Sequence, residues 1–133
     1  MKLPLERTVV DVSSAGFKTS PIASQCLRFG NMVYPAGQVP VDPRTGQISG
    51  DEIKAQTQQC MENLKAVLGC AGTSLQNLLK VNVFLKNMDD FDAFNEVYVS
   101  YFPSQPPART TVQVARLWTT ILIEIEGVAC IPE

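Results

Sequence analysis

Apolar positions recur along this chain with two spacings, period two and a period near 3.6, and the order in which they alternate predicts the fold. Residues 8–12 read as a short strand followed by the Ser/Gly-containing loop 13–16. Runs 24–29 and 32–36 flank Gly30-Asn31, a pair suited to a two-residue hairpin turn, so these runs are expected to pair antiparallel. Residues 41–46 form a turn by composition. Ser49-Gly50-Asp51-Glu52 has the S-x-x-E form of a capping box and predicts a helix that runs to about Ala71. Ile53, Thr57, Cys60, Met61, Leu64, Val67 and Leu68 recur at helical spacing, and Gly72 suits the position after the helix end.

The second half repeats the logic. Residues 79–85 alternate, with Leu79, Val81, Val83 and Leu85 on one side and Lys80, Asn82 and Phe84 on the other, as in a half-buried strand. Asn87, with Asp89 and Asp90 after it, is a cap for a second helix. The stripe Phe91, Phe94, Tyr98 and Tyr101 is expected to be core rather than a ligand platform. Pro103 and Pro106-Pro107 end that helix and lead, extended, into Arg109. Strands 110–117 and 121–129 complete the order βββαβαββ, an α+β fold in which two helices cover one face of a single mixed sheet. The uncovered face carries apolar and polar side chains together and needs a partner, which predicts a homo-oligomer.

A length of 133 residues fits one domain, 1–133. The charged fraction of 18% leaves little to solvate an isolated surface, in keeping with association. A net charge of −2 gives no basic footprint and argues against nucleic acid as a partner. No run is long and apolar enough to span a membrane, and residues 1–7 lack the apolar stretch of a secretion signal, so a cytoplasmic protein is expected. Cys26, Cys60, Cys70 and Cys130 form no CxxC pair and read as buried free thiols. The chain has no histidine, which excludes His-dependent triads within it and argues against a metal site; proton chemistry falls to Glu, Asp, Lys, Tyr, Cys or water.

The chemistry concentrates near the C-terminus. An arginine, Arg109, opens one expected strand, and Glu124 and Glu126 lie two apart on the next and so share a face, a set of fixed charges that suggests a small-molecule site. The plainer reading is a structural ion pair between Arg109 and either glutamate, across the sheet or across a subunit interface. Glu126 is read as structural, Arg116 as a solvated strand residue or an interface ion pair, and Asn95, beside Glu96 on a helix, as a cap-like or intersubunit hydrogen bonder.

Ser24-Gln25, Gly30-Asn31-Met32, Ala36-Gly37-Gln38, Asp42-Pro43 with Thr45-Gly46, Asn63-Leu64, Lys80-Val81 with Val83, Phe91, Asn95-Glu96-Val97-Tyr98, Pro107-Ala108-Arg109 and Ile123-Glu124-Ile125-Glu126 stand in the order and spacing of one family. From about Pro21 onward the chain resembles the RidA (YjgF) family, as a divergent member. The resemblance implies a chorismate-mutase-like fold, a homotrimer with a ligand cleft at each subunit interface, and cofactor-free hydrolysis of 2-imino or 2-enamino acids to 2-oxo acids and ammonia. It implies that Arg109 grips the substrate carboxylate in two charge-assisted hydrogen bonds and that Glu124 positions or deprotonates a water. Backbone groups near Gly37 and Thr111 would orient substrate and water, with Asn95 close by.

Three positions depart from the family pattern. Ala23 stands where a tyrosine is usual, Ala36 where a serine is usual, and Thr111 where a cysteine is frequent. A larger, less polar pocket is expected, with a bulkier or atypical substrate. Two other function classes stay open: a non-catalytic trimer that binds a small carboxylate or protects other proteins, and RNA cleavage, which the acidic charge balance disfavours.

Overall fold

The computed structural model describes residues 5–133. Six strands form one sheet: β1 (Arg7–Val9), β2 (Cys26–Phe29), β3 (Met32–Pro35), β4 (Leu78–Leu85), β5 (Ala108–Gln113) and β6 (Ile123–Cys130). Two helices, α1 (Ile53–Cys70) and α2 (Phe91–Val99), lie between β3 and β4 and between β4 and β5. The order is the βββαβαββ expected from the sequence. In space the strands run β1-β2-β3-β6-β4-β5, so the last strand of the chain is central and β5 forms an edge. β5 is parallel to β4 and every other neighbour is antiparallel, which makes the sheet mixed.

The α1 stripe is buried as its periodicity predicts, each of its seven members below a tenth exposed. It packs with Phe94 and Tyr98 of α2 against Val33, Val81, Val83, Leu85, Ile123, Ile125 and Ala129 on one face of the sheet. A fully buried Leu or Val side chain of this kind contributes about 1.5–3 kcal/mol. α1 ends where expected: Gly72 takes φ +86°, Thr73 N–H donates to the Leu68 carbonyl at 3.0 Å and Gly72 N–H to that of Gly69 at 3.1 Å, a Schellman closure.

Asn87 caps a 3-10 turn over Met88–Asp90 that leads into α2, and Asp90 is the N-cap of α2 itself without a side-chain bond; four further details differ from the sequence reading. The first strand is shorter than 8–12, because residues 13–15 turn into a 3-10 helix and carry Val12 into the core. The capping box does not form: Glu52 is the N-cap without a side-chain bond, and Ser49 Oγ instead donates to Gln59 Oε1 at 2.7 Å. Leu79 is half exposed and Leu78 is buried in its place. The cause is a bulge, in which Leu78 and Lys80 pair with the adjacent residues Ala129 and Val128, leaving Leu79 unpaired. Strand β5 stops at Gln113, four residues short of 117, and residues 114–122 form the connection to β6.

Among the described residues no helix covers the opposite face of the sheet. It presents Val9, Phe29, Tyr34 and Val112, each more than a third exposed, around the half-buried Glu124 and Glu126. All four cysteines are free, Cys26 and Cys60 buried and Cys70 and Cys130 partly so; burial pushes the Cys26 thiol up to about 11. No helix of the described residues is long and apolar enough to cross a membrane.

Candidate active site

Strand register decides where the charged residues go. Arg109 and Thr111 pair with Val81 and Val83 of β4, whose side chains are fully buried beneath the helices, so Arg109 and Thr111 point to the helical side at the edge of the sheet. Glu124 and Glu126 pair with Phe84 and Asn82 of the same β4 strand and therefore point to the open face. The carboxylates share a face as expected, but the arginine does not lie beside them. Within one chain the site residues form two clusters on opposite sides of the sheet, because Arg109 and Glu124 sit opposite β4 residues of opposite parity.

On the helical side, Arg109 Nη1 donates to Asn95 Oδ1 at 2.8 Å. Its guanidinium carbon lies 5.6, 5.0 and 4.7 Å from the ring centroids of Phe91, Phe94 and Tyr98. Phe94 and Tyr98 are core and, with the partly buried Phe91, form the platform on which the cation rests, a role the helical spacing did not reveal; Tyr101, the fourth of the stripe, lies beyond α2, is only partly buried and donates to Glu62 instead. Among the described residues no carboxylate forms an ion pair with Arg109; the ion pair they contain joins Lys54 and Glu96 on the surface. The ion pair considered for Arg109 across its own sheet is therefore absent among the described residues. Among the described residues the buried hydroxyls of Tyr98 and Thr111 find no hydrogen-bond partner. Desolvation raises the Tyr98 phenol above its ordinary pKa, and the positive charge of Arg109 acts against that rise.

On the open face, Gly37 has no side chain for a specific reason: a Cβ there would collide with Glu124 Oε2 and come within 3.1 Å of its Cδ. The segment is held in place by a two-way bridge, Gln38 N–H to the Ile125 carbonyl at 2.7 Å and Ile125 N–H to that of Gln38 at 3.0 Å. Gln38 Nε2 donates to the Ala36 carbonyl at 2.9 Å, and Asn63 of α1 donates to the carbonyls of Val39 and Val41. The motifs Ala36-Gly37-Gln38 and Asn63-Leu64 contain both amides, but spacing alone assigned neither a role. Glu126 accepts from Asn82 Nδ2 at 3.2 Å, in keeping with a structural role. Among the described residues no donor reaches the Glu124 carboxylate, and burial first, then the charge of Glu126, raises its pKa from its ordinary value.

Ala23 lies elsewhere, on the rim of a hollow of about 480 Å³ whose wall includes Val10, Phe17 and Lys18. A second hollow of about 260 Å³ shares Phe17, Lys18 and Gln25 with it and reaches Gly37. Tyr34 and Trp118 are both largely exposed and take up no space in either hollow.

Residues 18–131 match the family described as endoribonuclease L-PSP. A RutC family protein of Pyrococcus horikoshii is 51% identical over 106 residues, spanning 80% of this chain and 84% of its own. The 2-iminobutanoate/2-iminopropanoate deaminase of Salmonella typhimurium is 41% identical over 108 residues, spanning 79% and 84%. Among solved structures, TdcF of Escherichia coli with bound serine superposes with a TM-score of 0.84 at 35% identity, covering 92% of this chain and 98% of its own. Match of the family over most of the length, the shared fold and the ordered motifs agree, and the chain belongs to the RidA (endoribonuclease L-PSP) family.

Proposed function

We propose that this protein hydrolyses 2-imino and 2-enamino acids to 2-oxo acids and ammonia, as a homotrimer whose sites lie between subunits. The observation that carries this reading is Arg109, a half-buried cation with aromatic rings against it, one N–H used by Asn95 and no carboxylate paired to it among the described residues. Such a guanidinium offers the rest of its fork to a planar α-carboxylate. The deaminase name of the Salmonella relative and the serine in the TdcF structure support a small amino-acid-like ligand.

One chain does not bring Arg109 and Glu124 together, so the site requires a second copy laid on the open sheet face, whose exposed Val9, Phe29, Tyr34 and Val112 favour association. Arg109, on the edge strand, then meets the Glu124 side of a neighbour. In the reaction an enamine first tautomerises to the imine by taking a proton on carbon. Water held at Glu124 attacks the protonated C=N carbon, and the carboxylate takes a proton from it. Glu124 returns that proton to nitrogen, the C–N bond breaks as the oxygen's electron pair forms C=O, and the hydroxyl proton passes back to Glu124, which releases ammonia and leaves the 2-oxo acid. The raised pKa of Glu124 brings it closer to the operating pH and makes it a better base. Solvent supplies the proton taken on carbon and receives it back from Glu124 after ammonia leaves, so atoms and charge balance. The backbone at Gly37 and Thr111 lines the approach, and Ala23 and Ala36, small where the family has Tyr and Ser, admit a bulkier side chain.

The test measures ammonia and 2-oxo-acid release from 2-aminoacrylate and from larger imino acids generated in situ by an amino-acid oxidase. Acceleration by the wild type and a loss of about 100-fold or more in Arg109→Ala and in Glu124→Ala is expected. Carboxylate binding without turnover of any substrate would instead identify a binding protein.

A further inference from the structure

The geometry points to a positioning device for Arg109 built on α2: the ring of Tyr98, with Phe94 behind it, and the amide of Asn95 hold the guanidinium in the orientation in which it receives a carboxylate. This inference rests on the reading of Arg109 as the carboxylate-binding residue.

The arrangement has three parts that act on different portions of one side chain. Phe91, Phe94 and Tyr98 form a row of tilted rings along α2, with neighbouring centroids 6.4 and 5.3 Å apart. All three lie within the distance at which a cation is attracted to a ring face, Tyr98 nearest at 4.7 Å. Phe94 and Tyr98 are buried in the core, so the rings are fixed by packing and cannot follow the arginine if it moves. Asn95 projects from the same helix and accepts from Nη1, which fixes rotation of the planar group about its own axis. A neutral amide does this without neutralising the cation, whereas a carboxylate at the same place would form an ion pair and compete with the ligand. Among the described residues the Tyr98 hydroxyl has no partner, and it is the ring, facing the guanidinium, that does the positioning. An arginine held this way loses little side-chain entropy when its ligand arrives.

The experiment measures binding of a stable 2-oxo acid, 2-oxobutanoate, by calorimetry and, in parallel, kcat and KM for imine hydrolysis, on the assembled full-length protein. Tyr98→Phe is expected to bind within about twofold of wild type, and Tyr98→Leu about tenfold or more weaker, with KM rising by a similar factor and kcat falling less. Asn95→Ala is expected to weaken binding about threefold to tenfold, and Asn95→Asp more than Asn95→Ala, since only the acid offers the arginine an internal counter-ion. Asn95 is partly exposed, so its variants keep the question answerable if Tyr98→Leu fails to fold. Unchanged 2-oxobutanoate affinity in Asn95→Ala and Asn95→Asp, with Arg109→Ala abolishing it, would overturn the positioning device and leave the arginine site standing. Unchanged affinity in Arg109→Ala would overturn both.

Discussion

Arg109 and Glu124 occupy opposite faces of the same sheet, set there by their pairing with β4, where Arg109 lies opposite Val81 and Glu124 opposite Phe84. A site that uses both has to draw them from different copies of the chain. Each subunit then contributes half of two sites, and a defect in one half is repaired by a neighbour that lacks the other.

Mixing tests this directly. Arg109→Ala and Glu124→Ala proteins, each inactive alone, are expected to regain about a quarter of wild-type activity when unfolded together in equal amounts and reassembled, since half of the arginine positions and half of the glutamate positions are intact and pair at random. Activity is read as ammonia release after reassembly. A mixture as inactive as its components would show that both groups come from one chain.

Gly37 gives a second prediction. A methyl group there has to displace the Glu124 carboxylate, a flexible group that moves at small cost to stability but not at small cost to its position. Gly37→Ala is expected to lower kcat about tenfold or more while changing unfolding free energy by less than about 1 kcal/mol. Comparing turnover with a urea midpoint separates the two effects, and equal losses in both would refute the assignment.

The raised pKa of Glu124, caused first by burial and then by the charge of Glu126, makes a pH-dependent prediction. A carboxyl whose folded pKa lies above its unfolded value favours folding while it is protonated, and that contribution is lost as pH rises through the folded pKa. Glu124→Gln, permanently neutral, is therefore expected to melt higher than wild type at about pH 8 and equally with it near about pH 3. Thermal unfolding across that range measures it; a wild type more stable than the variant at high pH would reverse the sign and defeat the argument.

Two glycines predict opposite stability effects. A Cβ on Gly127 would come within 2.9 Å of both Leu78 Cδ2 and the Lys80 carbonyl oxygen, at the bulge in β4, and backbone cannot yield as a side-chain tip can. Gly127→Ala is expected to destabilise by about 1–3 kcal/mol. Gly69, exposed on α1 with nothing near its Cβ position, is expected to gain about 0.5 kcal/mol as Ala through helix propensity. Chemical denaturation of the two variants side by side distinguishes close packing from propensity.

Sequence periodicity alone determined the element order, the buried stripe of α1, the sharing of a face by Glu124 and Glu126, and the core position of Phe94 and Tyr98. Each of these is a relation within one element, where a side chain's direction follows from a period of 3.6 or 2. Leu79 escaped because a single bulged residue shifts that parity locally. Ser49 escaped because its hydroxyl had a closer partner in Gln59 than the backbone a capping box would use. Whether Arg109 faces Glu124 or turns away from it was legible in neither strand, because parity between strands is set by register. That register is fixed by hydrogen bonds each makes to β4, more than twenty residues away in the chain, and the tertiary structure alone decides it.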